Sequence, residues 1–79
     1  MSDDQPDPAA VAMLAATLVE GWAQVVVMAR GTPTMSRTQF LLTYIRFARP
    51  NRTPRRRRLV AAGVREARRI WRQRKRSAA

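Results

Sequence analysis

The chain contains no cysteine and no histidine. Without cysteine there is no disulfide framework, no thiolate metal site and no catalytic thiol. Without histidine the commonest general base and metal ligand is missing. Acids are scarce: Asp3, Asp4, Asp7, Glu20 and Glu66 are all there are, and three of them sit in the first seven residues. Metal-ligand spacing, a nucleophile beside a base and a glycine-rich phosphate loop are all missing from a chain with only three glycines. We therefore expect a protein that is not an enzyme and uses no metal and no cofactor. Lysine is nearly absent too, with Lys75 alone beside fifteen arginines.

What is abundant is arginine, and it is unevenly placed. The net charge is +11 on 79 residues. Residues 1–45 carry four acids and two arginines, a net of −2, whereas residues 46–79 carry fourteen basic residues and Glu66, a net of +13. Such asymmetry points to a polyanion, either nucleic acid or an anionic membrane surface. A guanidinium forks onto phosphate or a guanine edge and stacks on bases. A GC-rich genome would also favour arginine over lysine, but it does not account for the net charge.

The length allows one domain. Folding buries about 8,000 Å², roughly 60% of it apolar, which contributes on the order of 120 kcal/mol. Ordering the chain at about 1.5 kcal/mol per residue costs about the same. A lone copy is marginal by this reckoning, and a second subunit or a large ligand would add stability.

Residues 9–29, AAVAMLAATLVEGWAQVVVMA, are long enough to span a bilayer. Their interior argues against it, because Glu20 lies at the centre with Gly21 and Gln24 close by. A central acid costs about 2.5 to 3.5 kcal/mol on the insertion scale, and the valines and leucines return only about 2 to 4 kcal/mol. The start, MSDD, is acidic rather than basic, unlike a signal peptide. The expected compartment is the cytoplasm, with a membrane partner disfavoured.

The chain reads as all-α with three helices. Residues 1–7 form an acidic tail expected to be disordered. Asp7-Pro8 is a cap followed by proline at the first helical position, so the first helix should span 8–30. Val11, Leu14, Ala15, Leu18, Trp22, Val25, Val26 and Ala29 share one face, widened by Ala12, Ala16 and Val19. The polar remainder is narrow: Thr17, Glu20 and Gln24, with Met13 among them. A helix apolar over so much of its surface is buried on several sides. We expect Val11, Leu14, Leu18, Trp22, Val25 and Val26 to meet another subunit or a protein partner, as in a homodimer.

Gly31 and Pro33 fit a helix stop. Ser36 and Gln39 have capping-box spacing, so the second helix should span 37–49. Phe40, Leu41, Tyr44, Ile45, Phe47 and Ala48 form its apolar face, with Gln39, Thr43 and Arg46 outward, and Pro50 ends it. Residues 8–49 would form an apolar helical hairpin. Thr53-Pro54 then opens a third helix, 54–76, in a basic segment covering 50–79. Its apolar stripe is Leu59, Val60, Gly63, Val64, Ala67, Ile70 and Trp71.

The back of that helix carries the strongest functional signal. Arg55, Arg56, Arg57 and Arg58 form one run, and Arg65, Arg68, Arg69, Arg72, Lys75 and Arg76 follow. A solubilising surface needs far fewer charges. Like charges at i,i+4, such as Arg65 with Arg69 and Arg68 with Arg72, repel by a few tenths of a kcal/mol each. A bound polyanion relieves them, and arginines along one helical face can track a phosphate backbone. These ten residues are the expected nucleic-acid contacts, on DNA or RNA. Trp71, at the stripe's edge, could stack on a base but more often such a residue packs in the core.

The stretch Ala67 to Arg76, ARRIWRQRKR, resembles the arginine-rich helical motifs of RNA-binding peptides such as lentiviral Rev and phage N antiterminators, which also set a Trp among arginines. The resemblance implies a helix inserted in a widened RNA groove. Three readings stand beside a general nucleic-acid binder. One is a small helix-turn-helix transcription regulator. Another is a structural subunit of a ribonucleoprotein or virus-like assembly, anchored by its basic half. The last is an amphipathic helix lying on a membrane surface.

Overall fold

The computed structural model describes residues 5–47 and 53–78. Three helices account for nearly all of them: α1, Pro8–Met28, α2, Arg37–Phe47, and α3, Pro54–Ala78. No strand occurs among the described residues, and the architecture is all-α. Residues 1–4 of the expected tail, the end expected for the second helix at 48–49, and the linker at 50–52 lie outside the described residues.

Each helix starts at the cap its sequence advertises. The Asp7 carboxylate accepts from the Ala9 N–H at 3.3 Å, ahead of Pro8. Ser36 and Gln39 close a reciprocal box: the Gln39 N–H donates to Ser36 Oγ at 3.1 Å, and the Ser36 N–H donates to Gln39 Oε1 at 3.0 Å. Thr53 Oγ1 accepts from the Arg56 N–H at 3.2 Å. Each bond satisfies a donor that the first helical turn leaves without an intrahelical partner.

The first helix ends earlier than its pattern suggests, at Met28 rather than residue 30. The Gly31 N–H reaches back to the Val26 carbonyl at 2.8 Å, and the Arg30 N–H to the Val27 carbonyl at 3.0 Å. This is the paired bonding of a Schellman turn, which needs a left-handed residue just past the helix. That residue is Arg30, with φ 55°, followed by Gly31 at φ 87°. Glycine in the sequence marked the turn, but the left-handed position falls one residue before it. At the other end, α3 runs two residues past the expected 76, to Ala78.

α1 packs chiefly on α3 and only lightly on α2. The helical hairpin expected over 8–49 is therefore not the main packing pair. Ala15, Leu18 and Val19 of α1 meet Ala67 and Trp71 of α3 in the core, with Leu41 of α2 closing it. Leu14 lies against the backbone of Gly63, and Ala10 flanks the same cleft as Leu59. The pairing 10 with 59 and 14 with 63 keeps a constant offset, so α1 and α3 run parallel. The face expected to meet another subunit is thus the one that packs within the chain: Leu18 is fully buried, and Val11, Leu14, Trp22, Val25 and Val26 are half-buried. Ala12 and Ala16, placed at the margins of that face, are exposed.

α2 ties the pair together at one end. Phe40 sits against Gly21, and its ring meets Trp22 with centroids 5.7 Å apart at 49°. Leu41 is buried and Tyr44 and Ile45 half-buried, as their periodicity requires. Phe47 departs from that pattern and is 86% exposed. It occupies the final turn of α2, past the residues that close on α1 and α3.

The resulting body is a slab, 43 × 28 × 15 Å, with a radius of gyration of 13.6 Å. A compact chain of this length has about 11.6 Å. A slab has a thin core, and α1 shows the consequence: long and apolar enough by length and composition to cross a membrane, it has only Ala15, Leu18 and Val19 buried. Met13, Val27 and Met28 are exposed on it, beside Thr17, Glu20 and Gln24.

Two substitutions check this packing. A Cβ on Gly63 would lie 2.5 Å from Leu14 Cδ2 and 2.7 Å from Leu14 Cγ. Overpacking of that kind costs about 1–3 kcal/mol, against about 1 kcal/mol gained in helix propensity. Gly63→Ala should therefore lower unfolding free energy by about 1 kcal/mol in urea titration, and should become stabilising when Leu14 is also alanine. Arg30→Gly should act oppositely. It removes the left-handed strain of an L-residue and should stabilise by up to about 1 kcal/mol in the same assay.

Candidate nucleic-acid interface

The apolar stripe of α3 fixes which way its arginines point. Gly63, Ala67 and Trp71 are buried, and Leu59, Val60, Val64 and Ile70 are half-buried. At 100° per residue the opposite arc holds Arg57, Arg58, Arg65, Arg68, Arg69, Arg72, Lys75 and Arg76, all exposed. From Arg57 to Arg76 the arc runs about 29 Å along the helix at 1.5 Å per residue. It has one uncharged interval, at Ala61 and Ala62.

Arg55 and Arg56 stand apart from this arc. They flank a cleft at the start of α1, together with Gln5, Asp7 and Ala10. Asp7 is engaged there as the helix cap. The ten basic residues expected to contact nucleic acid therefore divide into eight on the outer arc of α3 and two at its first turn.

Glu66 is the one acid on α3. It pairs with Arg69 one turn on: Arg69 Nε donates to both carboxylate oxygens, at 3.2 and 3.0 Å, and Arg69 Nη2 donates to Glu66 Oε1. The hydrogen bonds from Arg69, reinforced by its charge, hold the Glu66 carboxyl below the usual carboxylate value. The same bonds raise Arg69 above the usual guanidinium value. Arg69 therefore reaches any ligand with its charge already answered.

Trp71 is 8% exposed and belongs to the core. Its ring is covered on one side by Arg37 of α2, whose guanidinium carbon lies 5.2 Å from the ring centroid. Arg37, Thr38 and Leu41 of α2 then form a cleft of about 400 Å³ with Arg65, Arg68, Trp71 and Arg72 of α3. Arg37 is a residue that reading the basic segment alone passes over. A signal for it does exist. At helical spacing it falls between Leu41 and Tyr44, on the apolar face of α2, where a guanidinium needs an aromatic or an anion to meet.

No protein-family model, no curated protein and no solved structure matches the chain. Its functional reading rests on its own side chains. No cluster of potential metal ligands occurs among the described residues.

The Glu66–Arg69 pair yields a test. Glu66→Gln removes the one negative charge on α3 and frees Arg69. Affinity for a polyanion should rise, and the slope of log K against log[salt] should steepen by about 0.9 for one added phosphate contact. Stability should respond with the opposite sign. A carboxyl lowered in the folded state stabilises above its unfolded pKa and ceases to as pH falls through the folded value. The wild-type chain should thus lose a small increment of stability in acid that the Glu66→Gln chain lacks, read from denaturation midpoints across the acid range.

Proposed function

We propose that the protein is a non-enzymatic nucleic-acid-binding protein that lays the outer face of α3 along a phosphate backbone. The observation that carries this reading is the arc of eight exposed basic side chains on the outer face of α3, a helix whose one acid is Glu66. The three-helix body holds that arc on the outside because its apolar stripe is committed to α1. An α-helix fits the major groove of duplex DNA, about 12 Å wide, whereas the deep, narrow major groove of duplex RNA admits one only where it is widened. Phosphate neutralisation by arginine releases condensed counterions, and this entropic gain supplies most of the affinity.

The alternative of a membrane-surface helix has less behind it. The stripe of α3 that would enter lipid is the stripe buried against α1. Anionic vesicles would have to bind by charge alone, or by separating α3 from its partner.

The reading makes a quantitative demand on salt. If six to ten phosphates are contacted, affinity for a 20-mer duplex or single strand should fall about 10³- to 10⁵-fold between 50 and 200 mM salt. Fluorescence anisotropy with DNA and RNA of the same sequence measures it. A flat response would overturn the proposal.

A further inference from the structure

We infer that the cleft between α2 and α3 is a phosphate clamp in which Arg37, from outside the basic segment, acts with Arg65, Arg68 and Arg72 on one stretch of nucleic-acid backbone. The inference rests on the nucleic-acid reading for its ligand, but the site stands on its own geometry. Four arginines from two helices border one cleft of about 400 Å³, which Thr38, Leu41 and Trp71 line with them among the described residues. No acid lines it. The nearest acid in sequence, Glu66, is taken by Arg69.

Several features make this cleft different from an ordinary charged surface. Arg65, Arg68 and Arg72 are spaced i, i+3, i+7 and so project from one side of α3. Arg37 is not a freely moving side chain, because its guanidinium lies over the Trp71 ring. A planar group held in this way loses less entropy on forming a bidentate contact with phosphate. The apolar floor of Leu41 and Trp71 lowers the local dielectric. That raises both the repulsion among the four cations and the reward for an anion placed between them. The cleft also opens beside the first turn of α2, whose N–H groups add positive potential.

A clamp spanning two helices has a further consequence. α2 is lightly tied to the α1–α3 pair, so a phosphate bridging Arg37 to the α3 arginines fastens α2 onto α3. Ligand binding and the docking of α2 become linked, and the indole beneath Arg37 reports both.

The test uses the full chain with Trp22→Phe, so that Trp71 is the one tryptophan. Arg37→Ala, Arg37→Lys and Arg46→Ala are compared, with far-UV circular dichroism confirming that each folds. Arg46 is the control, an exposed arginine on α2 that borders a different depression. The probes are a 20-mer oligonucleotide, inorganic pyrophosphate and vesicles of anionic phospholipid. We expect the oligonucleotide to change Trp71 emission. Arg37→Ala should weaken oligonucleotide binding about tenfold and flatten its salt slope by about 0.9. Arg37→Lys should restore the slope but not the affinity, since lysine neutralises a phosphate without the planar fork. Arg46→Ala should leave the slope as in the parent.

An Arg37→Ala chain that binds the oligonucleotide like the Arg46→Ala chain overturns the clamp and leaves the α3 reading intact. If pyrophosphate binds with Arg37 sensitivity while no oligonucleotide does, the clamp stands and the nucleic-acid reading falls. Binding to vesicles alone overturns both.

Discussion

The structure depends on how closely α1 can approach α3. Leu14 rests on Gly63, where there is no side chain, and Leu18 and Ala15 share the core with Ala67. Small residues on α3 let large ones on α1 enter, which is ridge-into-groove packing with the groove cut deep. Everything else in the molecule is oriented from that contact. It turns the apolar stripe of α3 inward, and an amphipathic helix with its stripe inward must show its other face to solvent. The basic arc is therefore outward by geometry, and no further interaction is needed to expose it.

That arrangement carries an electrostatic burden. Eight cations along about 29 Å of helix, with Glu66 the one acid on α3, repel one another where they lie close along the arc. Salt screens the exposed ones over about 8–10 Å at physiological ionic strength. Where Leu41 and Trp71 provide an apolar floor, screening is weaker and the repulsion greater. The charged half and the apolar half of the chain are consequently two sides of one packed unit. The interaction that secures the fold and the repulsion among the cations act on the same helix.

α2 is the lightest element and the one that couples these two sides. Phe40 engages Gly21 and Trp22 of α1, while Arg37 covers Trp71 of α3. Its outer surface keeps Leu42 and Phe47 in solvent, as α1 keeps Val27 and Met28. A body 15 Å thin cannot enclose every apolar side chain of three helices. Among the described residues the buried hydrophobic core is Ala15, Leu18, Val19, Leu41, Ala67 and Trp71.

Much of this was legible in the residues themselves. Asp7-Pro8, Ser36 with Gln39, and Thr53-Pro54 marked the three helix starts, because a cap depends on the few residues beside it. The stripe from Leu59 to Trp71 and the arc opposite it follow from helical period alone. Periodicity names a face but not the neighbour that covers it. Only the tertiary structure decided that the face of α1 bearing Leu14, Leu18 and Trp22 meets α3 of its own chain. It also decided that the turn after Met28 places Arg30 in the left-handed region, and that Arg37 comes to lie over Trp71, 34 positions away. Those outcomes depend on which surfaces fit at close range, and the shape of a groove such as the one at Gly63 exists only once two helices are side by side.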